Sequence, residues 1–168
     1  EAAYLTALER NGDVVSLASY APLLAKQNHT QWRPDMIYFD NTSVLLTANY
    51  YVQQLFGQNS GDFYLPTQVA VDATNLAASC VQETQSGDVI LKLVNNSPTS
   101  RQARVDFTGA IHLKSQASRT VLTGAPAAVN SFGKPPSVIP QTTTFTGGSN
   151  FICDVPAHSL SVIRLKTK

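Results

Sequence analysis

The side chains most able to do chemistry gather in one stretch, Gln27-Asn28-His29-Thr30-Gln31-Trp32-Arg33-Pro34-Asp35. An indole offers a flat apolar face; imidazole, carboxamide and guanidinium groups offer planar hydrogen bonding. Such a set can hold a sugar ring, stacked on one face and bonded at its hydroxyls. The alternative is an ordinary packed loop around a buried Trp32, and residue types alone leave both open. The other two histidines lie far away in sequence. His112, in Ile111-His112-Leu113, reads as a half-exposed sheet residue, and His158 as a turn or strand-start residue. Cys80 and Cys153 lack metal-site spacing and read as two buried free thiols. A disulfide between them would instead point to an oxidising compartment.

Eleven carboxylates are present. Glycoside hydrolysis needs two of them flanking the scissile bond. No pair is marked by its surroundings: Glu9 precedes Arg10 at a helix end, Asp13 lies at a turn, Asp35 follows Pro34 and Asp40 precedes Asn41. Most read as solvated or capping groups. No glycine-rich phosphate loop, G-x-S-x-G or H-E-x-x-H motif occurs, so neither cofactor nor metal is implied. Twelve Lys and Arg against eleven Asp and Glu leave a net charge of +1, which argues against a nucleic-acid partner. No apolar run approaches the ~18 residues of a membrane-spanning helix, so no membrane partner is expected. Asn-x-Ser/Thr triplets at Asn28, Asn41 and Asn95 arise easily by chance in a chain this rich in Asn, Ser and Thr.

The elements that must position these groups change character near residue 60. Residues 1–11 read as a helix with Leu5 and Leu8, or Tyr4 and Leu8, on one face, and Gly12 stands where a terminating glycine belongs. Val14-Val15-Ser16-Leu17-Ala18 reads as a strand buried on both faces. Thr47 is an N-cap for a second helix. Its apolar positions Ala48, Tyr51, Val52, Leu55 and Phe56 fall at i, i+3, i+4, i+7 and i+8. Beyond residue 60 the pattern is all β: one or two strands over 69–82, a turn at Ser86-Gly87-Asp88, then a strand over 89–94 that closes a hairpin. Further strands are predicted over 104–108, with Val105 and Phe107 inward, and over 119–122, 142–146, 150–155 and 160–165. A Pro-rich loop or edge spans 124–141. Short strands at this spacing predict a sandwich. The sole methionine is Met36 and the chain opens inside a helical pattern, so it reads as the C-terminal piece of a longer protein.

Three ordered blocks then carry a resemblance. They are Glu1-Ala2-Ala3-Tyr4-Leu5-Thr6-Ala7-Leu8-Glu9-Arg10-Asn11-Gly12-Asp13-Val14-Val15 with Ala18-Ser19-Tyr20-Ala21-Pro22-Leu23-Leu24, then Gln31-Trp32-Arg33-Pro34-Asp35-Met36-Ile37-Tyr38-Phe39-Asp40-Asn41, then Asn49-Tyr50-Tyr51-Val52-Gln53-Gln54-Leu55-Phe56. Together they resemble the C-terminal portion of α-L-arabinofuranosidases of glycoside hydrolase family 51. The match is dense over 1–64 and thinner beyond. The resemblance implies a mainly β chain: a C-terminal antiparallel, jelly-roll-like β-sandwich (60–168) preceded by the last helix-strand-helix part of a catalytic (β/α)8 barrel (1–59). It implies a longer enzyme that removes terminal α-L-arabinofuranosyl groups with retention from arabinose-containing poly- or oligosaccharides. Both catalytic Glu residues would lie upstream of Glu1, so this chain would carry neither. It also implies a sugar contact at Gln53, or Gln54 on a one-residue shift, with His29 and Trp32 at the mouth of the cleft. An extracellular or periplasmic location would suit such an enzyme.

Two other functions compete: an independent carbohydrate-binding sandwich, which would show exposed aromatics on a flat face, and a scaffold domain unrelated to a barrel. Two helices and one barrel strand cannot bury their own apolar faces. Leu17, Tyr20, Leu23 and Phe56 are therefore expected to cover the sandwich, pair with another chain or stay mobile. Self-association, or a non-barrel packing of the N-terminal part onto the sandwich, follows.

Overall fold

The computed structural model describes residues 1–70, 74–109 and 112–167. Its elements run α1 (Ala2–Arg10), β1 (Leu24–Lys26), β2 (Ile37–Phe39), β3 (Val44–Leu46), α2 (Ala48–Gly57), β4 (Phe63–Tyr64), β5 (Leu76–Gln82), β6 (Val89–Asn95), β7 (Arg101–Asp106), β8 (Leu113–Thr123), β9 (Gln141–Thr146), β10 (Asn150–Val155) and β11 (Ser159–Thr167). The chain is thus mainly β. A six-stranded sheet has the order β4-β5-β6-β11-β8-β9, and β10 pairs with β7 in a second, two-stranded sheet. All ladders of both sheets are antiparallel.

The strand sequences explain why the large sheet is the middle layer. In β6, Ile90, Lys92 and Val94 alternate with Val89, Leu91 and Leu93, and almost all are buried. Alternation places the two sets on opposite faces. Val89, Leu91, Ile163 and Leu165 meet Cys153 and Val155 of β10, with Ala103 and Val105 of β7 beside them. This is the inter-sheet core of the sandwich. On the opposite face Val81, Ile90, Val94, Leu122, Leu160 and Val162 meet Leu5 of α1 and Val52 and Leu55 of α2. Each such buried apolar side chain contributes about 1.5–3 kcal/mol. The three layers are therefore helices, large sheet and small sheet. The β5–β6 turn runs through Gly87 at φ 74°. That left-handed conformation favours glycine, and a Cβ there would also push the Thr167 hydroxyl, 2.6 Å away, aside.

Helix α2 forms as its periodicity predicts, and the Tyr50 N–H donates to Thr47 Oγ1 at 3.4 Å. Helix α1 turns its Leu5 and Leu8 face to the core, the first of the two expected pairings, with Thr6 buried beside them and Tyr4 exposed. The predicted strand over 14–18 does not form. Those residues are irregular, and Leu17 is 87 % exposed. A doubly buried parallel strand needs a hydrogen-bonding neighbour on each side, and this chain supplies none. Its N-terminal strands are instead β1, β2 and β3. β1 pairs parallel to β2, and β2 forms an antiparallel hairpin with β3.

In the β region the 80–94 hairpin and the last three strands lie where predicted, 124–140 is a loop, and β7 starts three residues before the predicted 104–108 strand and ends before Phe107. The predicted 119–122 strand is only the end of the eleven-residue β8. Of the 69–82 segment, strand begins at Leu76, while residues 71–73 lie outside those described. His112 is exposed and precedes β8 rather than lying in a strand. His158 occupies the turn before β11 at φ 45°. Cys80 and Cys153 are both free and buried, and desolvation pushes the Cys80 thiol up to about 12.

Candidate functional site

The β1–β2 connection carries His29 and Trp32. It is anchored at its start, where the Gln27 N–H donates to the Phe39 carbonyl (2.7 Å) and the His29 N–H donates to the Lys26 carbonyl (3.0 Å). Thr30 organises its tip. The Thr30 hydroxyl contacts Asp35 Oδ2 at 3.0 Å and the Trp32 carbonyl, and the Trp32 N–H donates back to it at 3.2 Å. Asp35 is buried, and its N–H donates to the Tyr38 hydroxyl at 2.9 Å. The turn is therefore fixed from below while its upper side chains stay free. Trp32 is 67 % exposed, and His29, Gln31 and Arg33 are exposed beside it. In this chain the indole face of Trp32 is therefore uncovered.

Gln53 lies elsewhere. It is half-buried on α2, and its Nε2 donates to Glu1 Oε1 at 2.7 Å. Burial raises the Glu1 carboxyl above its ordinary pKa, and the bond from Gln53 opposes that rise. Gln54 Nε2 donates to the Tyr50 hydroxyl at 3.2 Å. The structure thus joins His29 and Trp32 in one turn and sets Gln53 against the start of α1.

What holds α1 and α2 against the sheet is a charged knot. Lys92, fully buried at the centre of β6, donates from Nζ to Glu9 Oε1 of α1 (2.6 Å) and to the Asn59 carbonyl just after α2 (2.7 Å). Ser79 of β5 donates to the other Glu9 oxygen. The Lys92 ammonium lies 5.3 Å from the centre of the Phe56 ring, a cation–π distance. Desolvation lowers the Lys92 pKa, and the neighbouring Glu9 counteracts it. Arg10 adds a bond from Nη1 to the Ala78 carbonyl at 2.8 Å. Sequence reasoning missed this knot. Its only signal was one lysine inside the apolar run Val89-Ile90-Leu91-Lys92-Leu93-Val94.

The carboxylates now have positions. Glu9 is tied to Lys92, Asp35 is buried beneath its turn, and Asp40 caps its own hairpin by accepting from the N–H groups of Thr42 and Ser43. Those bonds, led by Thr42, hold the Asp40 carboxyl below its ordinary pKa. Glu9, Asp35 and Asp88 depart from the expectation of solvated or capping groups. Asp88 is fully buried and accepts from Arg164 (2.9 Å) and Lys166 (2.7 Å), while Arg164 also reaches Glu83 (3.0 Å). Glu83 and Asp88 are thus neutralised by shared cations. Two surface clefts among the described residues are each lined by a single carboxylate, Asp106 in one and Glu1 in the other. No group of three His, Cys, Asp or Glu side chains among the described residues could hold a metal ion. No described helix is long and apolar enough to cross a membrane.

Comparison with known proteins identifies relatives of the whole chain. "Alpha-L-arabinofuranosidase 1" of Arabidopsis thaliana is 33 % identical over 168 residues, covering 96 % of this chain and 25 % of its own length. The "Extracellular exo-alpha-L-arabinofuranosidase" of Streptomyces chartreusis is 56 % identical over 68 residues, 40 % of this chain and 8 % of its own length. The solved arabinose-bound MgGH51 α-L-arabinofuranosidase superposes with a TM-score of 0.94 at 37 % identity, covering all of this chain and 27 % of that one. The Thermotoga maritima enzyme in its arabinose complex shares the fold, with a TM-score of 0.84 at 21 % identity over 98 % of this chain and 37 % of that one. The chain spans about a quarter of the length of the Arabidopsis relative. The sequence profile of the family described as the α-L-arabinofuranosidase C-terminal domain matches residues 1–159, and the chain belongs to that family.

Proposed function

We propose that this chain is the C-terminal, non-catalytic part of an α-L-arabinofuranosidase that removes terminal non-reducing α-L-arabinofuranosyl residues from arabinose-containing polysaccharides with retention. Retention needs a nucleophile and an acid/base carboxyl about 5–5.5 Å apart. The observation that carries the reading is the state of the carboxylates: Glu9 and Asp88 are tied to cations, Asp35 is buried, Asp40 is spent on its turn, and Glu1 is held by Gln53. Both catalytic Glu residues then belong to the preceding part of the parent. Residues 1–59 complete its barrel, and residues 60–168 are the sandwich packed beside it.

Within that parent, Trp32 and His29 contribute to the wall at the cleft mouth, and Gln53 is a sugar contact once its bond to Glu1 is exchanged for a substrate hydroxyl. An extracellular or periplasmic setting fits a polymer substrate. The alternative, a free-standing carbohydrate-binding sandwich, calls for several exposed aromatics on one flat face. Beyond residue 60, Phe63 is the one large aromatic exposed among the described residues.

The test is hydrolysis of p-nitrophenyl α-L-arabinofuranoside by the 168-residue chain, run beside the full-length parent and its Gln53→Ala variant. The expected result is a silent chain, an active parent and a raised KM in the variant. Turnover by the isolated chain overturns the accessory reading, and an unchanged KM removes Gln53 from the site.

A further inference from the structure

We propose that Asn41 accepts an N-linked glycan and that Asn95, which stands in the same sequence motif, is closed to one. Asn-x-Ser/Thr is an acceptor motif that needs a surface loop. It occurs here at Asn28, Asn41 and Asn95, and the fold separates them.

Asn41 is exposed at the apex of the β2–β3 hairpin. Asp40 closes that turn by itself: its N–H donates to the Ser43 carbonyl at 3.0 Å. Its Oδ1 accepts from the N–H groups of Thr42 (2.8 Å) and Ser43 (2.7 Å). The hairpin therefore needs nothing from the Asn41 carboxamide, which points to solvent without a hydrogen-bond partner among the described residues. A glycan there displaces no hydrogen bond among the described residues.

Asn95 is the opposite case. It is fully buried at the end of β6. Its Nδ2 donates to the carbonyls of Thr99 (2.9 Å), Val155 (3.0 Å) and Pro156 (3.0 Å), while Oδ1 accepts from the Ser97 N–H (2.9 Å) and hydroxyl (2.8 Å). A sugar on Nδ2 removes one of its two hydrogens and has no space to occupy. A buried polar group stripped of its partner costs about 1–3 kcal/mol before any steric term. Asn28 is exposed, but it shares a turn with His29 and Trp32, so the assignment is made for the hairpin apex alone.

The co-reactant is an oligosaccharide linked to a polyprenyl diphosphate in a secretory pathway. Its anomeric carbon–oxygen bond breaks, a carbon–nitrogen bond to Asn41 Nδ2 forms, the amide releases one proton, and the polyprenyl diphosphate departs. No electrons change hands.

The experiment secretes the full-length parent from yeast and maps its peptides by mass spectrometry before and after peptide N-glycosidase, which converts a glycosylated Asn to Asp. The expected result is conversion at Asn41 and none at Asn95. The Asn41→Gln variant should lose the mass of one glycan while aryl-arabinoside turnover is unchanged. An unconverted Asn41, or a converted Asn95 in the folded secreted enzyme, overturns the proposal. The peptide map of the unaltered protein decides the matter even if the variant is not secreted. A glycosylated but inactive parent would sink the enzymatic reading and leave this one standing.

Discussion

A lysine with no solvent exposure ties the two helices to the large sheet. Lys92 sits where β6 would otherwise present an unbroken apolar stripe to the helices. Taking an ammonium and a carboxylate out of water costs several kcal/mol per ion, and only good geometry with extra hydrogen bonds recovers it. Here the extra bonds come from Ser79 and the Asn59 carbonyl. Removing one partner should therefore cost more than removing both. Lys92→Met is expected to destabilise the chain by roughly 3–5 kcal/mol, because it leaves Glu9 uncompensated. The double change Glu9→Leu with Lys92→Met should recover most of that loss. Urea unfolding of the three variants measures the cycle, and a double variant no better than Lys92→Met would show that the ion pair itself carries no special penalty. Asp88 gives the pH counterpart. Burial pushes its carboxyl up, but the hydrogen bonds from Lys166 and Arg164 prevail and its pKa lies below the ordinary 3.8. A depressed folded value means that the stabilisation is complete above the unfolded pKa and disappears as pH falls through the folded one. Thermal melts should drop below about pH 4, and Asp88→Asn should be less stable at pH 7 with a shallower acid limb.

At the scale of elements, a segment was legible when its partners lie within the chain. Helix α2 was readable from Thr47 and five apolar positions because both the cap and the buried face are local signals. The β5–β6 hairpin was readable because a turn and two apolar runs suffice. Strand β8 was read only in its last third, because Lys114, Ser115, Gln116 and Ser118 hide its pairing with β11 and β9. The Glu9–Lys92 contact joins residues 83 apart, and no periodicity encodes that. The turn holding Trp32 and His29 was legible by residue type, yet its exposure was not, since burial depends on what packs from outside the segment. Residues 14–18 carry the composition of a buried strand and form none, because a strand is a relation between chains of hydrogen bonds and not a property of five residues. This yields a prediction. In the isolated chain the amides of residues 14–18 should exchange with deuterium at nearly unstructured rates. In the full-length parent, with barrel neighbours present, they should be protected by orders of magnitude. Equal exchange in both would show that this segment is not a barrel strand.

Across the whole molecule, the exposed apolar side chains are unevenly placed. Of the eleven large ones among the described residues, seven lie in the first 59: Tyr4, Val14, Leu17, Leu23, Leu24, Trp32 and Val44. The same region supplies the inward faces of α1 and α2, which are well buried against the large sheet. The N-terminal part is thus two-sided. One side is docked through Leu5, Val52, Leu55 and the Lys92 knot, while the other keeps apolar surface in water. Of the four side chains expected to need cover, Phe56 is packed against the helix-side core, Tyr20 is half-buried with its hydroxyl accepting from Asn49, and Leu17 and Leu23 remain exposed. Packing within the chain therefore covers only two of the four, and exposed apolar surface favours association. Purified alone, the chain is expected to self-associate in a concentration-dependent way in sedimentation velocity. Leu17→Asp with Val14→Asp should shift it toward monomer with little change in unfolding midpoint, because neither side chain belongs to a core. The full-length parent should be insensitive to concentration through this surface, its barrel having taken the place of the second copy. A chain that sediments as a monomer at every concentration would show that these side chains, although exposed, do not form a continuous sticky face.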